Sequence, residues 1–237
     1  MKVLVVSVVL TVAAGASNAL ERVPDSKCAP KMAVQYDDCT VVRISNCQMG
    51  DKDVIQHVTV EKDEADYIDI YTNDYDLLQS FDEIGDVALL GIIDNRDAFS
   101  VERILLEGSD QVDQTVSFKL PFFVDGSPAD SSGTYKLTGE TVDVGGESFD
   151  KGDFSFDARF QLNAIKVQMH GEFFLHRETG TFLEGKAIID FGGMVTEYPS
   201  EPMRVLWPND PDYNDESLIY QCENYSLKSS LRNLAKG

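Results

Sequence analysis

Long strands with alternating apolar side chains, between residues 115 and 191, constrain the fold more than any other feature of the sequence. Apolar residues occupy the even positions from 154 to 162 and the odd positions from 165 to 169: Phe154, Phe156, Ala158, Phe160, Leu162, Ile165, Val167 and Met169. Successive side chains of a strand point to opposite faces, so the pattern predicts a sheet with one aromatic face. The change of parity around Asn163 predicts a bulge or bend in one long strand. An apolar face of this kind must be buried against another layer or against an apolar ligand.

The amino terminus has the pattern of a secretory signal peptide. Lys2 precedes the apolar run 3–14, and small residues follow up to Ala19. This run is too short to span a bilayer, and the small residues are typical of a cleavage site. We therefore expect residues 1–19 to be a signal peptide, with cleavage after Ala16 as the alternative, and residues 20–237 to form a single β-rich domain. The expected location is secreted and extracellular.

The charge of the chain argues against two classes of partner. The sequence has 20 basic and 41 acidic residues, which gives a formal net charge of −21 at pH 7. A chain this acidic repels phosphate backbones and anionic lipid surfaces. After residue 19 the sequence has no apolar run of the ~18 residues that a membrane helix needs. We expect no nucleic-acid partner and no membrane insertion, and the sequence identifies no protein partner.

Four cysteines follow the signal peptide: Cys28, Cys39, Cys47 and Cys222. An even count in an oxidising compartment predicts two disulfides, for which three connectivities exist. We favour Cys28 with Cys39, which leaves Cys47 for Cys222. The spacings are not C-x-x-C, so a zinc site is not expected. The sequence Asn-Tyr-Ser at 224–226 is a glycosylation sequon, and Asn224 is the predicted acceptor.

Local composition predicts the remaining elements. β-branched and apolar residues predict strands at 41–44, 54–60, 88–93 and 100–106, with a turn at 94–97. Residues 28–39 allow one or two helical turns, and the acidic stretch 61–76 is predicted to be an exposed loop that feeds a strand. Prolines exclude regular structure from 199 to about 213, and a helical stripe predicts a short C-terminal helix at 215–235.

The sequence lacks a metalloprotease or hydrolase motif. His170 and His176 flank Glu172, but their spacing is not the H-E-x-x-H that puts two imidazoles on one helical face. We expect both histidines to be ordinary surface or edge residues. Asp210 and Asp212 begin a calcium-loop spacing that lacks the glycine at its sixth position. We therefore expect no enzyme activity, no metal and no cofactor.

Four segments resemble the insect haemolymph juvenile-hormone-binding and takeout-like proteins. They are Phe118-Lys119-Leu120-Pro121, residues 133–139 (Gly-Thr-Tyr-Lys-Leu-Thr-Gly), residues 152–156 (Gly-Asp-Phe-Ser-Phe) and residues 162–167 (Leu-Asn-Ala-Ile-Lys-Val). The spacing of Cys28 and Cys39 is similar to the amino-terminal cysteine pair of that family. The resemblance covers about half of the chain after the signal peptide. It implies a mainly β (α+β) fold, in which a strongly curved antiparallel sheet wraps around a helix and encloses an apolar tunnel.

The expected function is that of a secreted carrier for a small hydrophobic ligand, terpenoid or fatty-acid-like. The expected ligand-binding residues are Phe118, Tyr135, Leu137, Phe154, Phe156, Phe160, Ile165 and Val167. The alternative is a secreted acidic β-sandwich that serves as an interaction or structural module and binds no ligand. In that case the acidic stretch 61–76 would contact a basic partner.

Overall fold

A computed structural model of the protein describes residues 22–61, 67–82, 88–119, 126–162, 165–198 and 200–213. The expected signal peptide, the expected C-terminal helix and the sequon at Asn224 lie outside the described residues. None of the helices in these ranges has both the length and the apolar character needed to cross a membrane.

The protein is mainly β, as the sequence predicts. Thirteen strands in the described ranges form one antiparallel sheet. They are β1 (Cys28–Tyr36), β2 (Thr40–Met49), β3 (Lys52–Glu61), β4 (Tyr67–Thr72), β5 (Leu77–Asp82), β6 (Ala88–Asp97), β7 (Ser109–Lys119), β8 (Ser127–Val144), β9 (Glu147–Phe160), β10 (Lys166–His176), β11 (Thr181–Phe191), β12 (Met194–Tyr198) and β13 (Pro202–Leu206).

Neighbours in sequence are neighbours in almost the whole sheet. Strands β1 to β12 follow one another in order, and β13 pairs with the free side of β1. Gly145 and Gly146 form the β8–β9 turn with φ of 64° and 96°, a conformation that two-residue hairpin turns need and that glycine adopts without strain. The two edges are β12 and β13, so the sheet is not closed.

Strands far apart in this order share one hydrophobic core. The main cluster of buried residues combines side chains from β1 to β4 with side chains from β7 to β11. The ring of Phe182 in β11 lies 6.1 Å from that of Tyr75, which follows β4, and 5.3 Å from that of Phe99, which follows β6. Lys31 in β1 donates to the carbonyl of Thr179, before β11, at 3.1 Å. The sheet therefore folds back on itself, and its two halves face each other across this core.

One short helix, α1 (Val101–Glu107), packs against the core between β6 and β7. Its N-cap is Ser100, whose side chain accepts a hydrogen bond from Arg103 N at 3.1 Å, and the helix ends at Gly108 with φ of 78°. The strand predicted at 100–106 is therefore wrong, because the two cap residues and the helical spacing of Val101 and Ile104 outweigh strand propensity. A long helix wrapped by the sheet is not confirmed, since α1 is the one α-helix of the described ranges.

Four other local predictions are wrong. Residues 28–36 form β1 rather than helical turns, the turn predicted at 94–97 belongs to β6, and β13 lies inside the proline-rich segment. The parity change around Asn163 marks a hairpin rather than a bend, because Arg159 pairs with Lys166, and Phe160 N donates to the carbonyl of Ile165 at 3.0 Å. In this register the even positions of β9 share a face with the odd positions of β10.

The favoured disulfide pairing is also wrong. Cys28 and Cys47 are bonded to each other, since the β1–β2 ladder places them directly opposite. Cys39 is disulfide-bonded as well, whereas Cys222 lies outside the described residues. Proximity in sequence favoured Cys28 with Cys39, but the hairpin brings together two cysteines 19 residues apart.

Candidate ligand-binding site

The eight predicted ligand-binding residues lie on one face of β7 to β10 and the turn before β10. We call the face that carries them the inner face. Three of them, Tyr135, Leu137 and Phe154, pack in or against the main core cluster. Four pack in or against a second cluster around Val116 and Ala129: Phe118, Phe160, Ile165 and Val167. The eighth residue, Phe156, lies between the two groups on β9.

A half-buried apolar row separates the two clusters. Phe156 pairs with Met169, and Met169 pairs with Ile189, so these three side chains lie side by side across β9, β10 and β11. All three are half-buried, whereas Phe154 and Phe160, on the same face of β9, are 6% and 3% exposed. We call Phe156, Met169 and Ile189 the apolar strip. On β9, Phe156 is therefore less completely covered by the protein's own side chains than Phe154 and Phe160 on either side of it.

A small cavity of about 60 Å³ lies between β11 and the strands β1 to β4. Nine residues from both halves of the folded sheet line it: Tyr36, Val42, His57, Thr59, Asp69, Tyr71, Phe182, Leu183 and Glu184. We call it the polar cavity, since six of these side chains carry a polar group. Its volume accommodates a few water molecules. It is too small for a whole lipid-sized molecule, which needs several hundred Å³, on the order of 300 or more.

Two carboxyl groups line the polar cavity. Burial is the main cause that raises the pKa of Asp69 to about 7; a hydrogen bond from Ser80 opposes this shift, and the nearby charge of Glu184 adds to it. Burial also raises the pKa of Glu184, although its side chain keeps an exposed surface. Water at this surface favours the ionised form and opposes the effect of burial on Glu184. Within the described ranges neither carboxylate has a basic partner in an ion pair.

His57 contributes an unpaired nitrogen to the same cavity. Its side chain is 6% exposed, and its Nε2 has no hydrogen-bond partner. Burial, with a contribution from the charge of Lys31, lowers the pKa of His57 to about 3, so the ring is uncharged at neutral pH. Burial raises the pKa values of Tyr36 and Tyr71, whose hydroxyls therefore stay protonated. A buried polar atom without a partner indicates a site for a ligand or an ordered water.

The polar cavity and the apolar strip share β11. Glu184 pairs with Phe173, and Ile189 pairs with Met169, so both β11 residues belong to the inner face although one number is even and the other odd. An irregularity in the β10–β11 pairing between Gly171 and Phe173 shifts the parity. Five residues of a strand span about 17 Å. A ligand whose polar end occupies the cavity therefore reaches the strip with a body of that length.

The sequence did not identify the polar side chains of this site. Asp69 falls in the stretch predicted to be an acidic loop and strand, and its alternation with Ile68 and Ile70 was the available signal. Glu184 was not predicted, because strict alternation along β11 from Ile189 would place its side chain on the face opposite to the inner face. His57 carried no motif.

A second buried polar group lies at the C-terminal end of β10. His176, predicted to be a surface or edge residue, is instead 4% exposed. Its Nδ1 lies 3.0 Å from Thr179 Oγ1, and its Nε2 lies 3.5 Å from Glu147 Oε2. Trp207 Nε1 donates to Glu147 Oε1 at 2.8 Å. These contacts tie the segment after β13 to the β8–β9 and β10–β11 turns, so the group has a structural role. His170 is exposed, as predicted.

A larger open hollow, of about 680 Å³, lies beside the Cys28–Cys47 disulfide. Polar side chains form most of its lining, among them Lys27, Asn46 and Asp53. It offers little apolar surface to a hydrophobic guest, so the inner face is the better candidate site.

Comparison of the chain with known protein families, curated proteins and solved structures finds no match.

Proposed function

We propose that the protein is a carrier for a small, mainly apolar molecule that binds along the inner face of β8 to β11. The observation that carries this proposal is the apolar strip. Phe156, Met169 and Ile189 are half-buried, whereas Phe154 and Phe160, which lie on either side of Phe156 on the same face of β9, are buried. An apolar body that covers the strip completes a continuous apolar surface.

The energetics fit a ligand of modest size. Burial of apolar surface contributes roughly 25 cal/mol per Å², so an additional 200 Å² or so on the ligand and protein together contributes about 5 kcal/mol. The polar cavity holds only the polar end of the ligand, since its volume of about 60 Å³ excludes the rest of the molecule. In this proposal the curled sheet wraps around the ligand, and α1 packs at the end of the core opposite the strip.

Displacement of the neutral fluorescent probe N-phenyl-1-naphthylamine tests the proposal. The strip variant is Ile189→Lys, and its matched control is Ile188→Lys, because the two isoleucines are neighbours, are both half-buried and point to opposite faces. We expect the strip variant to lose most of the probe fluorescence and the control to keep it. Native mass spectrometry of protein from its natural source should show a non-covalent adduct.

Two outcomes contradict the carrier function. One is a protein that is consistently empty and does not enhance the fluorescence of the probe. The other is equal probe binding by the two lysine variants, which would place the probe away from the apolar strip. Circular dichroism of each variant establishes that it is folded before binding is compared.

One observation favours the alternative function, an interaction module without a ligand. All five residues of the edge strand β12 are exposed, and Met194 and Val195 are 68% and 62% exposed. A free strand edge pairs readily with an extended peptide. Since the chain has a net charge of −21, the matching partner is a basic peptide. Binding of such a peptide that weakens with salt and is lost in Val195→Pro would support this function.

A further inference from the structure

We infer that the polar end of the ligand is a primary ammonium group, held in the polar cavity between Asp69 and Glu184. The inference rests on the proposed carrier function and specifies the chemical class of its ligand, which is an amine with an apolar or aromatic body. It depends on the geometry of the polar cavity and on the groups that line it.

The first argument is the balance of hydrogen-bond donors and acceptors. The cavity offers two carboxyl groups and the Nε2 of His57, which is buried without a partner. A carboxylate accepts hydrogen bonds only, and an ammonium group brings three donors and no acceptor. The two carboxylates, together with His57 Nε2 in the tautomer that carries its proton on Nδ1, offer acceptors for the three N–H groups of a primary ammonium.

The second argument is charge. Asp69 and Glu184 come from opposite halves of the folded sheet, on β4 and β11, and within the described ranges neither has a basic partner. Lys31 is the nearby cation, but it acts on His57 and donates to the carbonyl of Thr179. Two facing carboxyl groups that lack a counter-ion repel each other when both ionise. A guest cation removes this repulsion, whereas a guest carboxylate increases it.

The third argument excludes a metal ion as the occupant. The described residues contain no group of three histidine, cysteine, aspartate or glutamate side chains that could hold a metal. An ammonium group has less strict demands on geometry. The aromatic rings of Tyr36 and Tyr71 also line the cavity, and aromatic faces attract ammonium groups by a cation–π interaction.

The size of the cavity limits what enters it. About 60 Å³ fits an ammonium group with its first methylene groups and leaves the body outside. Glu184 has an exposed surface, so the cavity has access to solvent beside β11. The body of the amine then follows β11 past Ala187 to the apolar strip.

Binding of such an amine depends on pH in a defined direction. Asp69 faces His57 on β3, Ser80 on β5 and Glu184 on β11. Tyr36 on β1 and Tyr71 on β4 complete the titratable lining and stay neutral, and His57 is uncharged down to about pH 3. Asp69, with its pKa of about 7, is thus the group that changes charge between about pH 5 and pH 8, and the raised pKa of Glu184 acts in the same direction. Acidification neutralises Asp69, and the affinity for an ammonium group falls.

Three twelve-carbon probes test the inference: n-dodecylamine, 1-dodecanol and dodecanoate, each titrated against bound N-phenyl-1-naphthylamine at about pH 8 and pH 5. At pH 8 we expect dodecylamine to bind about tenfold more tightly than dodecanol, or better, and dodecanoate most weakly. At pH 5 the preference for the amine over the alcohol should be smaller. Asp69→Asn and Glu184→Gln should each reduce this preference at pH 8.

The matched control is Glu197→Gln, which removes an exposed carboxylate on β12 and should change nothing. Equal binding of amine and alcohol by the natural sequence overturns the inference and leaves the carrier function intact. Tighter binding of dodecanoate overturns it as well. Failure of all three probes to displace the dye, or of the dye to bind, counts against the carrier function itself, so the two failures are distinguishable.

Discussion

The ring of Phe173 lies directly over the backbone of Gly152 on the neighbouring strand. The two residues are paired across β9 and β10, and a Cβ added at Gly152 would lie 2.1 Å from Phe173 Cζ. Gly171 has the same relationship to Phe154, at 2.9 Å. Glycine at these positions lets aromatic rings occupy the space that a cross-strand side chain would otherwise fill. The aromatic pattern of the sequence thus depends on the glycines between the phenylalanines.

Gly152→Ala should destabilise the protein by about 1 to 3 kcal/mol, because the new methyl group forces the buried ring of Phe173 out of its place. The free energy of unfolding in urea measures the effect. The control is Ser155→Ala, an exposed position on the same strand. In the background of Phe173→Leu, which removes the ring, Gly152→Ala should cost clearly less. An equal cost in both backgrounds would contradict steric conflict as the cause.

The strands of the fold were predictable where alternation is long and turns carry glycine. The predicted strands between residues 115 and 191 correspond to β7 to β11, and Gly145 and Gly146 form the turn between β8 and β9. The hairpin between β9 and β10 was not predicted, because residues 161–165 contain no glycine or proline. A bend in one long strand explained the change from even to odd apolar positions equally well. A strand was predicted in place of α1 because residues 100–106 are rich in apolar and β-branched side chains, although Ser100 is a favourable N-cap residue.

The polar side chains of the candidate site could not be predicted from the sequence, for a physical reason. Asp69 and Glu184 are 115 positions apart and meet because the sheet folds back on itself, which alternation alone does not reveal. The face of β11 on which Glu184 lies depends on the irregularity in the β10–β11 pairing beside Gly171. The sequence around Gly171 contains no turn motif that would predict this irregularity. The apolar residues of the inner face were predictable, because within each strand they occupy alternate positions.

Ser100→Ala should destabilise the protein by about 0.5 to 2 kcal/mol, because Arg103 N loses the acceptor at the start of α1. Thermal unfolding followed by circular dichroism measures the change. Ser100→Thr keeps a hydroxyl at the cap and should retain most of the stability. Equal losses in the two variants would show that the hydroxyl is not what stabilises the helix.

The disulfide of the β1–β2 hairpin should join Cys28 to Cys47 in the purified protein, because the ladder places these two residues directly opposite each other. Peptide mapping by mass spectrometry without reduction should recover a peptide pair that joins Cys28 to Cys47. A peptide pair that joins Cys28 to Cys39 would contradict the register of β1 and β2.

Asp69→Asn should stabilise the protein above neutral pH and much less in acid. The folded state holds the proton of Asp69 up to about pH 7, whereas the unfolded state releases it near pH 3.8. The stability that this proton confers is complete below pH 3.8 and is lost as pH rises through 7. The asparagine variant does not undergo this loss, so its advantage over the natural sequence grows between about pH 4 and pH 7, to something on the order of 1 to 3 kcal/mol.

Urea unfolding of the two proteins at a series of pH values measures this difference. His57 has the opposite effect, because its pKa falls from 6.5 to about 3 on folding, so its contribution to stability is lost as pH falls through that range. Both proteins carry His57, and its contribution cancels when one unfolding free energy is subtracted from the other. A constant difference from pH 4 to pH 8 would mean that Asp69 keeps an ordinary pKa in the folded state. The two carboxyl groups would then lie in water rather than in an enclosed cavity, and the cavity would have no need of a cation.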